Sequence, residues 1–240
     1  MIRVYPDLES LSRAAAALLV TQANLAVAAR GRFSVALAGG STPRRTYELL
    51  AAPPLMDQAP WDRVHVFWGD ERCVPPDDPR SNAHLAKEAW LDRVPIPGDQ
   101  IHPINCARDP AAAARDYEAR LREFFAGASP RLDLVLLGLG PDGHTASLFP
   151  GTTVLEENER WAAAVYVAQG DLYRVTLTAP LINQAARVVF LVAGGAKAAV
   201  LREVRHGPRD PARLPAQLIR PHPGDLLWLA DLAAAAKLPA

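Results

Sequence analysis

One histidine stands where an imidazole could act as a base. Residues 132–151 read LDLVLLGLGPDGHTASLFPG: an apolar run from Leu134 to Leu137 stops at Gly138, turns again at Gly140 and Gly143, and presents Asp142 and His144. A short apolar run bounded by glycine turns is the pattern of a buried parallel strand. The polar groups then fall at the strand's carboxyl end, where open α/β sheets bind ligands. An imidazole titrates near neutrality and a carboxylate two residues away can orient it, so Asp142 and His144 fit proton transfer. With His144 near the start of a short helix, the helix dipole is expected to keep the ring neutral. A lone histidine is more often structural than catalytic; its place after a glycine turn at the ligand edge singles this one out.

Three other loops repeat the order of apolar strand, abrupt glycine or charge, then helix: residues 39–43, 69–82 and 194–197. In a parallel sheet all four emerge at one edge. Gly39, Gly40, Ser41, Thr42 and Pro43 form a possible anion cradle. The glycines admit a ligand close to the backbone, Ser41 or Thr42 can cap the following helix, and its free N–H groups favour a phosphate. A well-capped helix alone would show the same residues; the convergence of four loops favours the phosphate. Asp70, Glu71 and Arg72 follow a strand reading VHVFW. Arg72 can grip a phosphate or carboxylate in a bidentate way, with Asp70 and Glu71 ordering it or meeting sugar hydroxyls. The length of this loop, with Ser81 and Asn82 at its far end, predicts an active-site flap. Lys197 lies in the first turn of its helix, where a cation opposes the dipole unless an anion binds. Arg174 and Arg187 are weaker candidates for the same anion.

Several chemistries are disfavoured. Gly138, Gly140 and Gly143 spell G-x-G-x-x-G, the dinucleotide fingerprint, but Pro150 and Gly151 end the next helix too early for a crossover. Asp142 would also face the pyrophosphate, and the fingerprint normally follows the first strand. The six histidines form no H-E-x-x-H motif and no close pair with cysteine, so no metal is expected. No G-x-S-x-G nucleophile elbow occurs. The formal net charge is zero, which leaves no excess positive field for nucleic acid or an anionic membrane. Cys73 and Cys106 are the only cysteines, too few for a disulfide framework, so Cys73 reads as a buried spectator and the chain as cytoplasmic. The amino terminus lacks the basic-then-apolar order of a signal peptide, and the Ala/Leu-rich stretch 14–19 is too short to span a bilayer.

The elements that must position these residues alternate along the chain. Strands are predicted over 2–5, 34–38, 64–68, 101–104, 134–137, 163–167, 175–177, 188–192 and 226–229. Helices are predicted to about Arg30 after Asp7, and over 44–51, 83–91, 110–125, 179–185 and 198–205, with Asp231 capping a last one. Such alternation predicts a mainly parallel sheet covered on both faces, with a local antiparallel piece near 161–178. No repeat or long linker divides the 240 residues, so a single domain over 1–240 is expected.

LVLLGLGPDGHTASLFPG resembles the signature of the 6-phosphogluconolactonase family. The blocks ALAGGSTPRRTYELL, WDRVHVFWGDERCVPPDDPRSN, FLVAGGAKAAVLREV and PAQLIRPHPGDLLWLAD resemble it too, in the family's order, from about residue 2 to 236. The related glucosamine-6-phosphate deaminases usually continue DGHIAFNEP, where this chain has Thr145, Ala146, Ser147, Leu148, Phe149 and Pro150. The resemblance implies a three-layer α/β/α sandwich with a mainly parallel, Rossmann-like sheet and no dinucleotide. It implies a cofactor-free and metal-free hydrolase of a sugar-phosphate lactone in the oxidative pentose phosphate pathway. His144 would be the general base supported by Asp142, and Arg72 and Lys197 the phosphate or carboxyl contacts. Gly40, Ser41 and Thr42 would line the sugar-phosphate site; the reading of the loops themselves adds Gly39, Asp70, Ser81, Asn82 and Arg174 to the expected substrate contacts. A monomer or small homo-oligomer is expected, without nucleic-acid or membrane partners.

Overall fold

The computed structural model describes residues 1–106 and 109–239. Its strands are β1 (Ile2–Tyr5), β2 (Phe33–Leu37), β3 (Val64–Trp68), β4 (Asp70–Arg72), β5 (Leu134–Leu137), β6 (Ala162–Val167), β7 (Leu172–Leu177), β8 (Arg187–Val192) and β9 (Asp225–Asp231). Its α-helices are α1 (Leu8–Arg30), α2 (Ser41–Leu50), α3 (Asn82–Ala89), α4 (Pro110–Phe125), α5 (Ala179–Ile182), α6 (Ala198–His206) and α7 (Leu232–Ala235). Six strands make a wholly parallel sheet in the order β1-β9-β8-β5-β2-β3, flanked by helices. The fold class is therefore the α/β sandwich with a mainly parallel sheet that the alternation predicts. The strands that feed the four glycine or charge loops, β8, β5, β2 and β3, are consecutive neighbours in this sheet.

Local chemistry sets the helix ends. The Asp7 carboxylate accepts from the Ser10 N–H at 2.7 Å to start α1, and Gly31, at φ 75°, closes it by donating to the Val27 carbonyl. Asp109 caps α4 by accepting from the Ala112 N–H at 2.9 Å, with Pro110 in the first turn. Leu11, Ala15, Leu19 and Ala23 repeat every four residues on α1 and are almost fully buried. Helix α1 has 23 residues, far more than the stretch 14–19, and by length and composition it matches a membrane span. Here that apolar face lies in the protein core. Strand β5 is buried along its whole length, and truncating one such leucine to alanine costs about 2–5 kcal/mol.

Several expectations are corrected. The 69–82 loop contains strand β4, which pairs antiparallel with β7, and β7 pairs antiparallel with β6, giving a separate three-stranded sheet. The antiparallel piece predicted near 161–178 is thus larger and recruits the flap. Residues 101–104 make no strand; Ile101 forms one bridge to Val66, and the His102 N–H donates to the Val66 carbonyl. No helix follows His144: residues 141–151 are turns with one Thr145–Leu148 bridge. Cys73 is not a spectator but is disulfide-bonded to Cys106, with Cα atoms 4.7 Å apart. The bond ties the end of β4 to the segment after Ile101, and the cysteine argument for a reducing compartment falls with it.

A disulfide closing 33 residues of chain contributes about 3–4 kcal/mol through the unfolded state. Adding dithiothreitol should therefore lower the Tm of the oxidised protein by roughly 10 °C. Calorimetry with and without reductant checks this, and a Cys73→Ser variant should show no further drop on reduction.

Candidate active site

The site grows from the carboxyl end of β5. The chain turns through Gly138, Gly140 and Gly143, the last at φ 80°, and reaches His144. A Cβ on Gly140 would sit 2.0 Å from His144 Nδ1 and 2.7 Å from Asp142 Oδ1, so only glycine lets the imidazole lie against this turn. The Gly140 N–H donates to the His144 carbonyl at 2.8 Å, and the Thr145 hydroxyl donates to the Gly138 carbonyl at 2.8 Å. These two bonds fold the turn back onto the end of β5.

Asp142 Oδ1 lies 2.5 Å from His144 Nδ1 and also accepts from the His144 backbone N–H at 3.2 Å. An ionised carboxylate only accepts, so Nδ1 carries the proton and Nε2 keeps a lone pair. Phe149 stacks on the imidazole with ring centroids 3.9 Å apart. Burial pushes the His144 pKa below its ordinary 6.5, while the Asp142 and Asp70 charges pull the other way and Arg174 reinforces the depression. Asp142 itself is held below the usual carboxylate range: burial works against this, and the neighbouring imidazole and its hydrogen bonds outweigh it. The neutral ring predicted from a helix dipole is thus favoured by burial instead, because the helix is absent.

His144 lines a cavity of about 210 Å³ with Gly39, Gly40, Asp70, Arg72, Asn82, Gly138, Gly140, Arg174 and Lys197. All four loops contribute. Arg72 and Arg174 are direct partners across β4 and β7, like charges side by side. The Nε atoms of both are buried without a hydrogen-bond partner. One Arg72 Nη donates to the Arg80 carbonyl at 2.6 Å, and Arg174 Nη1 is 3.8 Å from Asp70 Oδ2. Lys197 sits at the entry to α6, makes no ion pair among the described residues, and is lowered by burial, against the pull of Asp142. Among the described residues, three cations therefore face one cavity with a single carboxylate, Asp70, in its wall.

Not every candidate reaches the wall. Helix α2 starts at Ser41 with Gly40, at φ 98°, as its cap and no side-chain cap bond. Ser41 and Thr42 thus belong to the first helical turn; they do not cap it and do not line the cavity, and what they offer there is unpaired backbone N–H groups. Ser81 is also absent from the wall, because its hydroxyl donates to Glu71 Oε2 at 2.9 Å and accepts from the His84 N–H at 3.1 Å to cap α3. Asp142 touches His144 and not the cavity. Arg187 lies at the start of β8, the opposite edge of the sheet, and pairs with Asp225 at 2.9 Å.

Two residues matter more than their sequence positions imply. Glu71 does not line the His144 cavity; buried, it accepts from the N–H groups of Arg72, Asn82 and Ala83 at 2.7–2.8 Å and from Ser81, latching the flap's far end to β4. Ser147, fully buried, donates to Asp70 Oδ2 at 2.6 Å. Neither bond follows from local spacing, since the partners lie 10–77 residues apart. Among the described residues no group of three or more His, Cys, Asp or Glu side chains is placed to hold a metal.

Residues 6–228 match the family model of glucosamine-6-phosphate isomerases/6-phosphogluconolactonase. The chain belongs to this family. A 6-phosphogluconolactonase of Nostoc sp. is 45% identical over 99% of this chain and 98% of its own length. The human 6-phosphogluconolactonase is 40% identical over 98% and 92%. Among solved structures, the 6-phosphogluconolactonase of Trypanosoma brucei superposes with a TM-score of 0.85 at 29% identity, covering 100% of this chain and 98% of that one. A monomeric glucosamine-6-phosphate deaminase, at 22% identity and a TM-score of 0.83 over 98% and 99% of the two chains, shares the fold. The family's two activities thus sit on one architecture, and the chemistry of the cavity has to separate them.

The close approach at Gly140 is open to a direct test. A Gly140→Ala protein should fold, since the backbone there needs no positive φ, but its methyl group displaces the imidazole from Asp142. The downfield Nδ1 proton resonance expected for a 2.5 Å contact should vanish from its NMR spectrum. Gly138→Ala, where a Cβ meets nothing within 4 Å, should keep it.

Proposed function

We propose that this chain hydrolyses 6-phospho-D-glucono-1,5-lactone to 6-phospho-D-gluconate, the lactonase step of the oxidative pentose phosphate pathway, with His144 as general base. The observation that carries the reading is the Asp142-bound imidazole facing the same cavity as Arg72, Arg174 and Lys197. The full-length relatives named 6-phosphogluconolactonase support it.

The substrate needs three things, and the cavity supplies each. Its phosphate is dianionic near neutrality, and the guanidinium and ammonium groups with the free N–H groups behind Gly40 receive it. Its carbonyl develops negative charge on attack, and a cation or a glycine N–H in the same wall stabilises that oxyanion. Its nucleophile is water, which loses a proton to His144 Nε2 as its oxygen bonds to the lactone carbon. The tetrahedral intermediate then breaks its bond to the ring oxygen, which takes the proton from His144 and becomes the sugar hydroxyl. Asp142 holds the ring and balances the transient imidazolium. The charges are met by side chains of this chain, so the scheme calls on no metal or cofactor.

We assign the activity to the whole chain, 1–240, as one domain, working as a monomer or small homo-oligomer. The compartment we assign is the cytoplasm: a phosphorylated substrate is too polar to cross a bilayer unaided and stays where it is formed, so the enzyme has to share its compartment.

The test is accelerated decay of freshly made 6-phosphogluconolactone over its spontaneous hydrolysis. His144→Ala should lose about 10²–10⁴-fold in kcat while remaining folded; a folded variant with near-normal kcat would overturn the role of His144. Because burial depresses the imidazole, kcat/KM should rise with pH through a pKa below 6.5. An acid limb centred above 6.5 would contradict a buried neutral base.

A further inference from the structure

The turn that presents His144 is not self-supporting. Ala146, between Thr145 and Ser147, has φ 47°, the left-handed region that a side chain disfavours. Such a conformation persists where surrounding bonds over-determine it. Ser147 makes two of them. Its N–H donates to Thr176 Oγ1 on β7 at 3.2 Å, and its hydroxyl donates to Asp70 Oδ2 on β4 at 2.6 Å. Asp70 pairs with Thr176 across the β4–β7 ladder, so one serine grips both strands of the sheet that carries Arg72 and Arg174. The Asp70 carboxylate is nearly enclosed; Asn82 Nδ2 donates to its other oxygen at 3.3 Å, and Arg174 Nη1 stands 3.8 Å from the oxygen that Ser147 holds.

We propose that Ser147 is a positioning residue: through Asp70 it sets the distance and orientation of the His144 imidazole relative to the Arg72–Arg174 pair. It touches no substrate, because it does not line the cavity. The proposal rests on the lactonase reading for its kinetic arm only. It gives Asp70 a different task from the sugar contact expected of it. The carboxylate is the hub between the base-bearing turn and the cationic sheet, and its lone pairs are largely committed to the protein. A base carried on a turn of β5 and a phosphate grip carried on β4 and β7 belong to different sheets, and this hydrogen bond joins them directly.

The experiment is a double-mutant cycle with Ser147→Ala and Asp70→Ala on the full chain, read by kcat/KM, by Tm and by NMR titration of the His144 imidazole. Misplacing a reacting group by an ångström costs up to about 10²-fold, so Ser147→Ala should lose about 10- to 100-fold in kcat/KM. In the Asp70→Ala background the same change should have little further effect, because the serine acts through that carboxylate. The imidazole is faced by Asp142 on its own turn, Asp70 and Arg72 on β4, Arg174 on β7 and Lys197 before α6. A loosened Asp70 supports the imidazolium less, so the titration should move to lower pH in Ser147→Ala. A serine that only stabilised the fold would lower Tm and leave that titration in place.

Three results would overturn the proposal: kcat/KM within twofold of the parent, an equal loss in the Asp70→Ala background, or an unmoved titration. Should the parent protein lack lactonase activity, the functional reading fails and the NMR titration still decides the role of Ser147. If Ser147→Ala does not fold, Ser147→Cys keeps a weak donor in nearly the same volume. A partial loss with a titration shift of the same sign supports the role, and parental behaviour overturns it.

Discussion

The arrangement at the sheet's carboxyl edge turns on an unanswered positive charge. Arg72, Arg174 and Lys197 face one cavity in which Asp70 is the sole lining carboxylate among the described residues, and Ser147 and Asn82 already occupy that carboxylate. Burial depresses both Arg174 and Lys197, because desolvation disfavours their charged forms. Across β4 and β7 the two arginines are even placed directly opposite each other. Like charges in that register destabilise a sheet unless an anion lies between them. In the proposed reaction a phosphate and a developing oxyanion would supply the negative charge that these cations face, which is how binding energy is directed to charge that appears during reaction.

Two sheets are needed to build that cavity. The parallel sheet brings the ends of β8, β5, β2 and β3 together as neighbours, which places Lys197, His144, Gly40 and Asp70 at one edge. It cannot supply Arg174, which lies on an antiparallel strand of the second sheet. Strand β4 solves this by leaving β3 after one glycine and pairing with β7. Gly69 anchors the change of sheet: its N–H donates to the Leu37 carbonyl in the parallel sheet, and its carbonyl accepts from the Leu177 N–H in the antiparallel one. Arg72 and Arg174 are then presented as a pair on a rigid ladder, not on a free flap.

What was legible in the sequence was what short-range chemistry determines. The apolar run of β5 ending in glycine, the opening of α1 after Asp7 and its end at about Arg30 are local patterns, and each appears where the sequence places it. The four loops converge because parallel topology leaves them no other edge. The misreadings share a cause. Glycine followed by polar residues reads as a helix start at His144, yet the same residues close a turn when Thr145 bonds Gly138 and Ser147 bonds Asp70. The 69–82 segment, rich in proline and aspartate, read as loop because the partner that makes Asp70–Arg72 a strand lies about a hundred residues on. Ser81 was assigned to the ligand because no local signal shows that Glu71 claims its hydroxyl. Nor does spacing alone reveal that Cys73 and Cys106 come within bonding range.

The lost helix bears on how His144, the base we propose, is tuned. A helix dipole would act on His144 whether or not substrate is present, and it would oppose protonation throughout the reaction. Burial acts differently, because it can be offset at short range. Phe149 covers one face of the imidazole at 3.9 Å and also lies 5.1 Å from the Arg174 guanidinium, so a single aromatic ring stands against both the base and a cation. That ring withholds water from the imidazole and favours the neutral form before attack. In the proposed mechanism the ring takes a proton with the Asp142 carboxylate already 2.5 Å from Nδ1, so the new charge would be met without rearrangement. A base that is neutral at rest and compensated once protonated can accept water's proton and return it to the ring oxygen, which a base stabilised in only one of its two states does less readily.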